Sequence, residues 1–260
     1  MAAAERLQRN RLPAIAPLLD GWQLAGRSRQ AAALGGAFHD WFSLPKGMLA
    51  VAVGRAAEQG IVGAMNADAV LAALRSHAQH GCRPERILRD ANLTLWTSSA
   101  GDRHVTGLLA LLDPASGRLR LSSAGRPSAV WLRADGWESL SQDGAQLGES
   151  PETKFSPRGC QLRPGEAVVL WTDGGDHQRT AEDRERFEAA LAERLQPQLN
   201  LPTHELVQAA TILLDAGWRA FRPLEIAAED LAAAATMLDG GNRRQPPGDR
   251  AIVVLKRTSA

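Results

Sequence analysis

The sequence predicts an α+β fold in which mainly antiparallel sheets carry helices on their outer faces. Two patterns lead there. Short apolar runs bounded by turn residues come in blocks, and helical patterns come in blocks beside them, without the strict strand–helix alternation of a parallel sheet. Neither a G-x-G-x-x-G run nor a Walker loop is present, so a nucleotide-binding doubly wound sheet is not indicated. No repeat period or low-complexity linker divides the 260 residues, and 44% hydrophobic content is enough for one large core.

Taken in order, residues 5–19 place Leu7, Leu12, Ile15, Leu18 and Leu19 around Pro13 and Pro17, the pattern of a short helix followed by a turn. This stretch is expected to lie outside the sandwich as an extension, 1–19, preceding a domain over 20–260. Residues 22–27 alternate as a strand does. Two apolar runs, 38–44 and 48–53, are joined by Pro45-Lys46-Gly47, which predicts a hairpin. Helices are expected over 61–80, closed by Gly81, and over 84–97, opened by Pro84 and Glu85. Strands follow at 105–112, 119–124, 129–132 and 167–171, punctuated by Asp113-Pro114-Ala115-Ser116-Gly117, Ala134-Asp135-Gly136 and Arg163-Pro164-Gly165. Helical patterns return at 181–195, 203–218 and 225–238, and 251–256 forms a last strand.

Charge narrows the functional classes. Thirty basic and 29 acidic residues leave a formal charge of +1, with the arginines scattered, so no field for nucleic acid or a membrane surface arises. Cys82 and Cys160 are the only cysteines; they make no disulfide framework and no C-x-x-C. The N-terminal apolar stretch is interrupted by charges and makes a poor signal peptide. A cytoplasmic protein is expected.

Five segments then stand in order: Leu34-Gly35-Gly36-Ala37-Phe38-His39-Asp40, Leu49 to Gly54 followed by Arg55, Ser123-Ala124-Gly125-Arg126-Pro127, Trp171-Thr172-Asp173-Gly174, and Gly248-Asp249-Arg250-Ala251. Together they resemble the SpoIIE/RsbU-like branch of the metal-dependent PPM serine/threonine phosphatases, whose motifs read G-G-D-x-x-D, G-D-x-x-G-x-G, A-G-H-P, T-D-G and D-D-x-T. The resemblance covers roughly residues 20–257. It implies a four-layer α-β-β-α sandwich with the metal site at one end. It also implies Mn²⁺ or Mg²⁺ as the cofactor of any active member, because two hard cations holding a water for attack on phosphorus need several carboxylates.

Mapped residue by residue, the family's metal-binding carboxylates are largely replaced. Ala37 stands for the first Asp, Arg55 for the Asp of the second motif and Gly248 for the first Asp of D-D, while Asp173 and Asp249 survive. A guanidinium stays charged at neutral pH. At an effective dielectric near 20, unit charges ~4 Å apart interact by about 4 kcal/mol, so Arg55 opposes a dication. Asp173, aided by Asp40, Glu58 or Asp176, is the one position left for a weak ion. The vestigial site is therefore expected at Asp173, Asp249, Asp40, Arg55 and Gly174. Arg55 should pair with Asp173, and Arg55 and Arg126 are the candidate phosphate contacts.

These losses predict a pseudophosphatase, a signalling module that binds a phosphoprotein or a partner-switching regulator without turnover. Two other readings stay open: an active phosphatase with a rearranged site, and a structural domain that dimerises, with the apolar N-terminal segment as the contact.

Overall fold

The computed structural model describes residues 13, 15–81, 83–99, 101–172, 180–217 and 248–258. Two five-stranded antiparallel sheets lie face to face. In chain order the elements are β1 (Trp22–Arg29), β2 (Ala37–Ser43), β3 (Leu49–Ala56), α1 (Gly60–Ala78), α2 (Pro84–Thr97), β4 (Val105–Asp113), β5 (Arg118–Ala124), β6 (Ser128–Arg133), β7 (Gly136–Ser139), β8 (Pro157–Gln161), β9 (Ala167–Thr172), α3 (Ala181–Leu195), α4 (Thr203–Gly217) and β10 (Arg250–Arg257). One sheet runs β1-β10-β9-β6-β7 and the other β2-β3-β4-β5-β8.

Strand period explains the layers. Along β3, Leu49, Val51 and Val53 join Trp41, Leu108, Ala110, Leu170 and Val253 in the core between the sheets. The alternate residues Ala50, Ala52 and Ala56 face outward, onto Val70 and Leu74 of α1 and Ile87 and Leu88 of α2. On the other sheet Val169, Trp171 and Val254 face Leu191 and Leu195 of α3 and Leu206 and Leu213 of α4. Both faces of each sheet are thus covered, which is why β3, β4, β9 and β10 read as near-continuous apolar runs. The four-layer sandwich expected from the sequence is present.

The hairpin of β2 and β3 forms across Pro45-Lys46-Gly47, with Ser43 opposite Leu49 and Ala37 opposite Arg55. Helix α2 opens on Pro84 with Glu85 in its first turn, as the sequence indicated. Helix α1 ends at Ala78 with Gln79 as its cap, two residues short of the predicted end. Strands β7 and β8 were not foreseen; they are short and have no apolar run to mark them. The helix predicted at 225–238 and the first part of the N-terminal extension, 5–12, fall outside the described residues. Residues 15–19 are not helical. Ala16 and Leu19 pack on the inter-sheet core, and Trp41 Nε1 donates to the Ile15 carbonyl at 2.9 Å.

A buried imidazole sits inside this core. His39 on β2 is buried between the sheets, its Nδ1 2.7 Å from Ser28 Oγ of β1, and its Nε2 has no hydrogen-bond partner. Its ring lies over Gly26 of β1, where an added Cβ would come within 2.6 Å of it, and is tilted against Trp41.

Candidate functional site

The strand ends that carry the sequence motifs converge at one end of the sandwich. Register places Ala37 of β2, Arg55 of β3 and Thr106 of β4 side by side. Ala37 faces the inter-sheet core, and by the two-residue period Arg55 and Thr106 continue the same face beyond Val53 and Leu108. Across from them, Thr172 ends β9 opposite Ala251, two residues past Asp249.

Arg55 is buried, 7% exposed, and its Nη1 donates to the Ala56 carbonyl at 3.2 Å. A guanidinium therefore occupies the rim between the sheets where a carboxylate would be required to hold a cation. Thr106 accepts from Gln146 Nε2 at 2.8 Å. Gly125, with φ +72°, lies so close that a Cβ there would sit 2.6 Å from Thr106 Oγ1. The Gly125-Arg126 turn is thereby pressed onto the strand next to Arg55.

The surviving Asp249 has a different task. It is 2% exposed; Oδ1 accepts from the Ala31 backbone at 2.7 Å and Oδ2 from the Gly36 backbone at 2.5 Å. Gln30 brackets the next residue, donating to the Ala37 carbonyl at 2.7 Å and accepting from its N–H at 3.1 Å. The Gly35-Gly36 pair is what allows this closeness. A Cβ on Gly35 would fall 2.3 Å from Asp249 Oδ2, and one on Gly36 2.8 Å from Ala56 Cβ. Asp249 thus clasps the β1–β2 loop onto the start of β10. Replacing it with Ala should lower stability by about 3 kcal/mol, because two charge-assisted bonds go and buried N–H groups are left unpaired. Urea unfolding checks this, and Asp249→Asn, which keeps one acceptor, should cost less.

Asp40, expected beside Arg55, faces the other way. It stands three residues after Ala37 on the same strand, so the alternation carries it to the helix-covered face. There Arg75 of α1 grips it bidentately, Nε to Oδ2 and Nη2 to Oδ1, both at 2.7 Å, and the Trp41 N–H adds a third bond at 2.9 Å. Burial pushes the Asp40 carboxyl up, and it outweighs the opposing pull of Arg75. Glu58, another expected helper, accepts from Asn66 Nδ2 at 2.8 Å. Gly248 has φ +82°, a conformation that glycine adopts freely. Asp173, Gly174 and Asp176 lie outside the described residues.

A network not singled out from the sequence borders this end. Arg126 Nη2 meets Asp143 Oδ2 at 3.3 Å, and Arg184 of α3 bonds the other oxygen of the same carboxylate. Arg184 Nε also lies 3.5 Å from Oε1 of Glu188, which is 1% exposed on the buried face of α3. Glu188 in turn accepts from Ser139 and Ser141, each at 2.7 Å. Burial would raise the Asp143 carboxyl, but Arg184 and then Arg126 overcome it and hold it below the usual range. Glu188 could have been flagged, because with Leu191, Ala192 and Leu195 it completes one helical stripe in which it is the lone charge.

The described side chains do not by themselves supply the ligands for a pair of Mn²⁺ or Mg²⁺ ions. Ala37 and Gly248 offer no donor, Arg55 is cationic, and the oxygens of Asp249 and Asp40 are taken by N–H groups. Among the described residues no three His, Cys, Asp or Glu side chains are grouped to hold a metal.

Comparison with known proteins agrees with the fold. The family model of Stage II sporulation protein E (SpoIIE) matches residues 45–219. The chain belongs to the SpoIIE family. A curated relative, Protein IcfG of Synechocystis, is 24% identical over 65% of this chain, which spans only 31% of that protein. Among solved structures, the SiaA-PP2C domain of Pseudomonas aeruginosa superposes with a TM-score of 0.68 at 18% identity, covering 98% of this chain and 93% of that one. The RsbU and RsbW domains of Rv1364c from Mycobacterium tuberculosis give 0.64 at 23% identity, over 93% of this chain and 61% of that one. RsbX in complex with magnesium gives 0.58 at 12% identity, over 92% and 96%. This SpoIIE-family chain therefore shares the PPM phosphatase fold. Among its described residues no helix is long and apolar enough to cross a membrane.

Proposed function

We propose that the chain is a pseudophosphatase that binds a phosphorylated regulatory protein without hydrolysing it. The observation that carries this reading is Arg55, a buried cation directly opposite Ala37 on neighbouring strands, at the two positions where the family motifs place Asp. A fixed guanidinium there repels a dication and attracts a phosphoryl group, which it can grip with a planar fork of donors. The similarity to an RsbU–RsbW pair of domains supports a partner-switching regulator as the bound protein. Asp173, the T-D-G aspartate of the resemblance, is the proposed partner of Arg55 in the absence of ligand.

The test is hydrolysis of p-nitrophenyl phosphate at saturating Mn²⁺. No turnover above background is expected; metal-dependent turnover abolished by a chelator would overturn the reading in favour of an active enzyme with a rearranged site. The companion variant carries Ala37→Asp with Arg55→Asp. These positions pair across the strands, with Cβ atoms about 5 Å apart, so two carboxylates would face one space. That variant should gain a saturable Mn²⁺-dependent rise in melting temperature of a few degrees, about what 2–3 kcal/mol of linkage gives. Gly248 is left unchanged, because Asp at its positive φ would add about 1 kcal/mol of backbone strain.

A further inference from the structure

We propose that Arg126 and Arg184 form a subsite for the phosphoryl group of a phosphoserine or phosphothreonine side chain, and that Asp143 is a built-in carboxylate covering it. The inference rests on the reading that this end of the sandwich receives a phosphorylated ligand.

The two arginines differ in how they are held. Arg184 is 19% exposed and is fixed from behind by Glu188, a buried carboxylate that two serine hydroxyls orient in turn. The capping box of Thr180 and Asp183, with its paired bonds at 3.1 Å, fixes the turn of α3 from which Arg184 projects. Arg126 follows Gly125, which is packed on Thr106 and tied to the 144–146 loop by bonds to Ala145 and from Gly144. The Arg184 guanidinium is thus set by Glu188, and the backbone that carries Arg126 by the contacts of Gly125, none of which involves Asp143.

Asp143 is the replaceable member. It stands in a segment without regular strand or helix, its side chain is 42% exposed, and it bridges the two arginines with one oxygen each. A phosphate monoester presents three oxygens and close to two negative charges where the carboxylate presents two oxygens and one. It can satisfy both forks together, which the carboxylate does at 3.3 Å on the Arg126 side. Ligand entry then needs only that Asp143 swing out to water, with no rearrangement of Arg184 or the sheets.

The experiment is calorimetric titration of the full chain, at low ionic strength, with N-acetyl-O-phosphoserine amide and separately with inorganic phosphate. Asp143→Asn should tighten phosphoserine binding about tenfold by removing the competing charge, and Arg126→Gln should weaken it about tenfold. Arg184→Lys, which keeps the charge over Glu188 and so keeps the fold, should also weaken it. Preference for the serine ester over inorganic phosphate identifies a phosphorylated side chain as the ligand; the reverse preference overturns that source. Equal affinity of the wild type, Asp143→Asn and Arg126→Gln overturns the subsite. If only Arg55→Gln abolishes binding, the phosphoryl group sits at Arg55, and the subsite falls while the proposed function stands. Mn²⁺-dependent turnover, in contrast, removes the pseudophosphatase reading and leaves these affinities to decide the subsite.

Discussion

Arg75→Ala should destabilise the fold by about 3 kcal/mol. Asp40 is 97% buried as a side chain, and Arg75 supplies two of its three hydrogen bonds. Removing one partner of a buried pair leaves an uncompensated charge, worth roughly 3–5 kcal/mol when both partners are enclosed. Because Arg75 is half exposed, the low end of that range applies. The guanidinium also lies 4.8 Å over the Phe42 ring, so its loss removes packing between α1 and β2 as well. A pH signature separates charge from packing. Without Arg75, the Asp40 carboxyl rises further above its unfolded value. The penalty is then full at neutral pH, and it shrinks as acidification protonates the buried group. Urea midpoints of wild type and variant should converge toward low pH; a constant gap would mean that packing alone was lost.

His39 should produce the opposite trend in the wild type. Burial lowers its imidazole from 6.5 to about 4, so the folded protein keeps it neutral while the unfolded chain takes up a proton. Stability is complete above pH 6.5 and declines as pH falls toward 4, after which both states are protonated. The loss across that window is about 3 kcal/mol, at 1.36 kcal/mol per pKa unit. The physical cause is that His39 has Ser28 on one nitrogen and nothing on the other, with Gly26 and Trp41 closing the space. His39→Gln should flatten the acid limb by that amount relative to wild type. An unchanged limb would show that the ring is solvated in the folded state.

Much of this architecture was legible because the deciding signals are local. Continuous apolar runs marked β3, β4, β9 and β10, and Pro45-Lys46-Gly47 marked the hairpin. Strand β8 was not legible: Pro157, Arg158 and Gly159 form an exposed sheet edge with no pattern of burial to read. At the candidate site, Ala37 and Arg55 stand opposite each other because hairpin register follows from the turn. Asp40 was misplaced by reading closeness along the motif as closeness in space, although the two-residue period alone puts it on the face opposite Ala37. The clasp made by Asp249 joins residues more than 200 positions apart, and no local pattern reports that. The link from Arg126 through Asp143 to Arg184 was hidden for the same reason.

The partner order of the first sheet also has a consequence for how the chain acquires its structure. β10, the last strand, lies between β1, the first, and β9. The hairpin sheet β2-β3-β4-β5 can zip up from neighbours as they emerge from the ribosome. In the other sheet β6, β7 and β9 can do the same, but β1 and β9 have no partner on their facing edges until residues 250–257 arrive. Pairing Trp22 with Arg257 closes a loop of 235 positions (257 − 22), a late step with a large entropy cost. Throughout synthesis the apolar inner face of β1 must therefore remain shielded by transient contacts or a chaperone, and the edges of β1 and β9 are where premature association with other chains would begin.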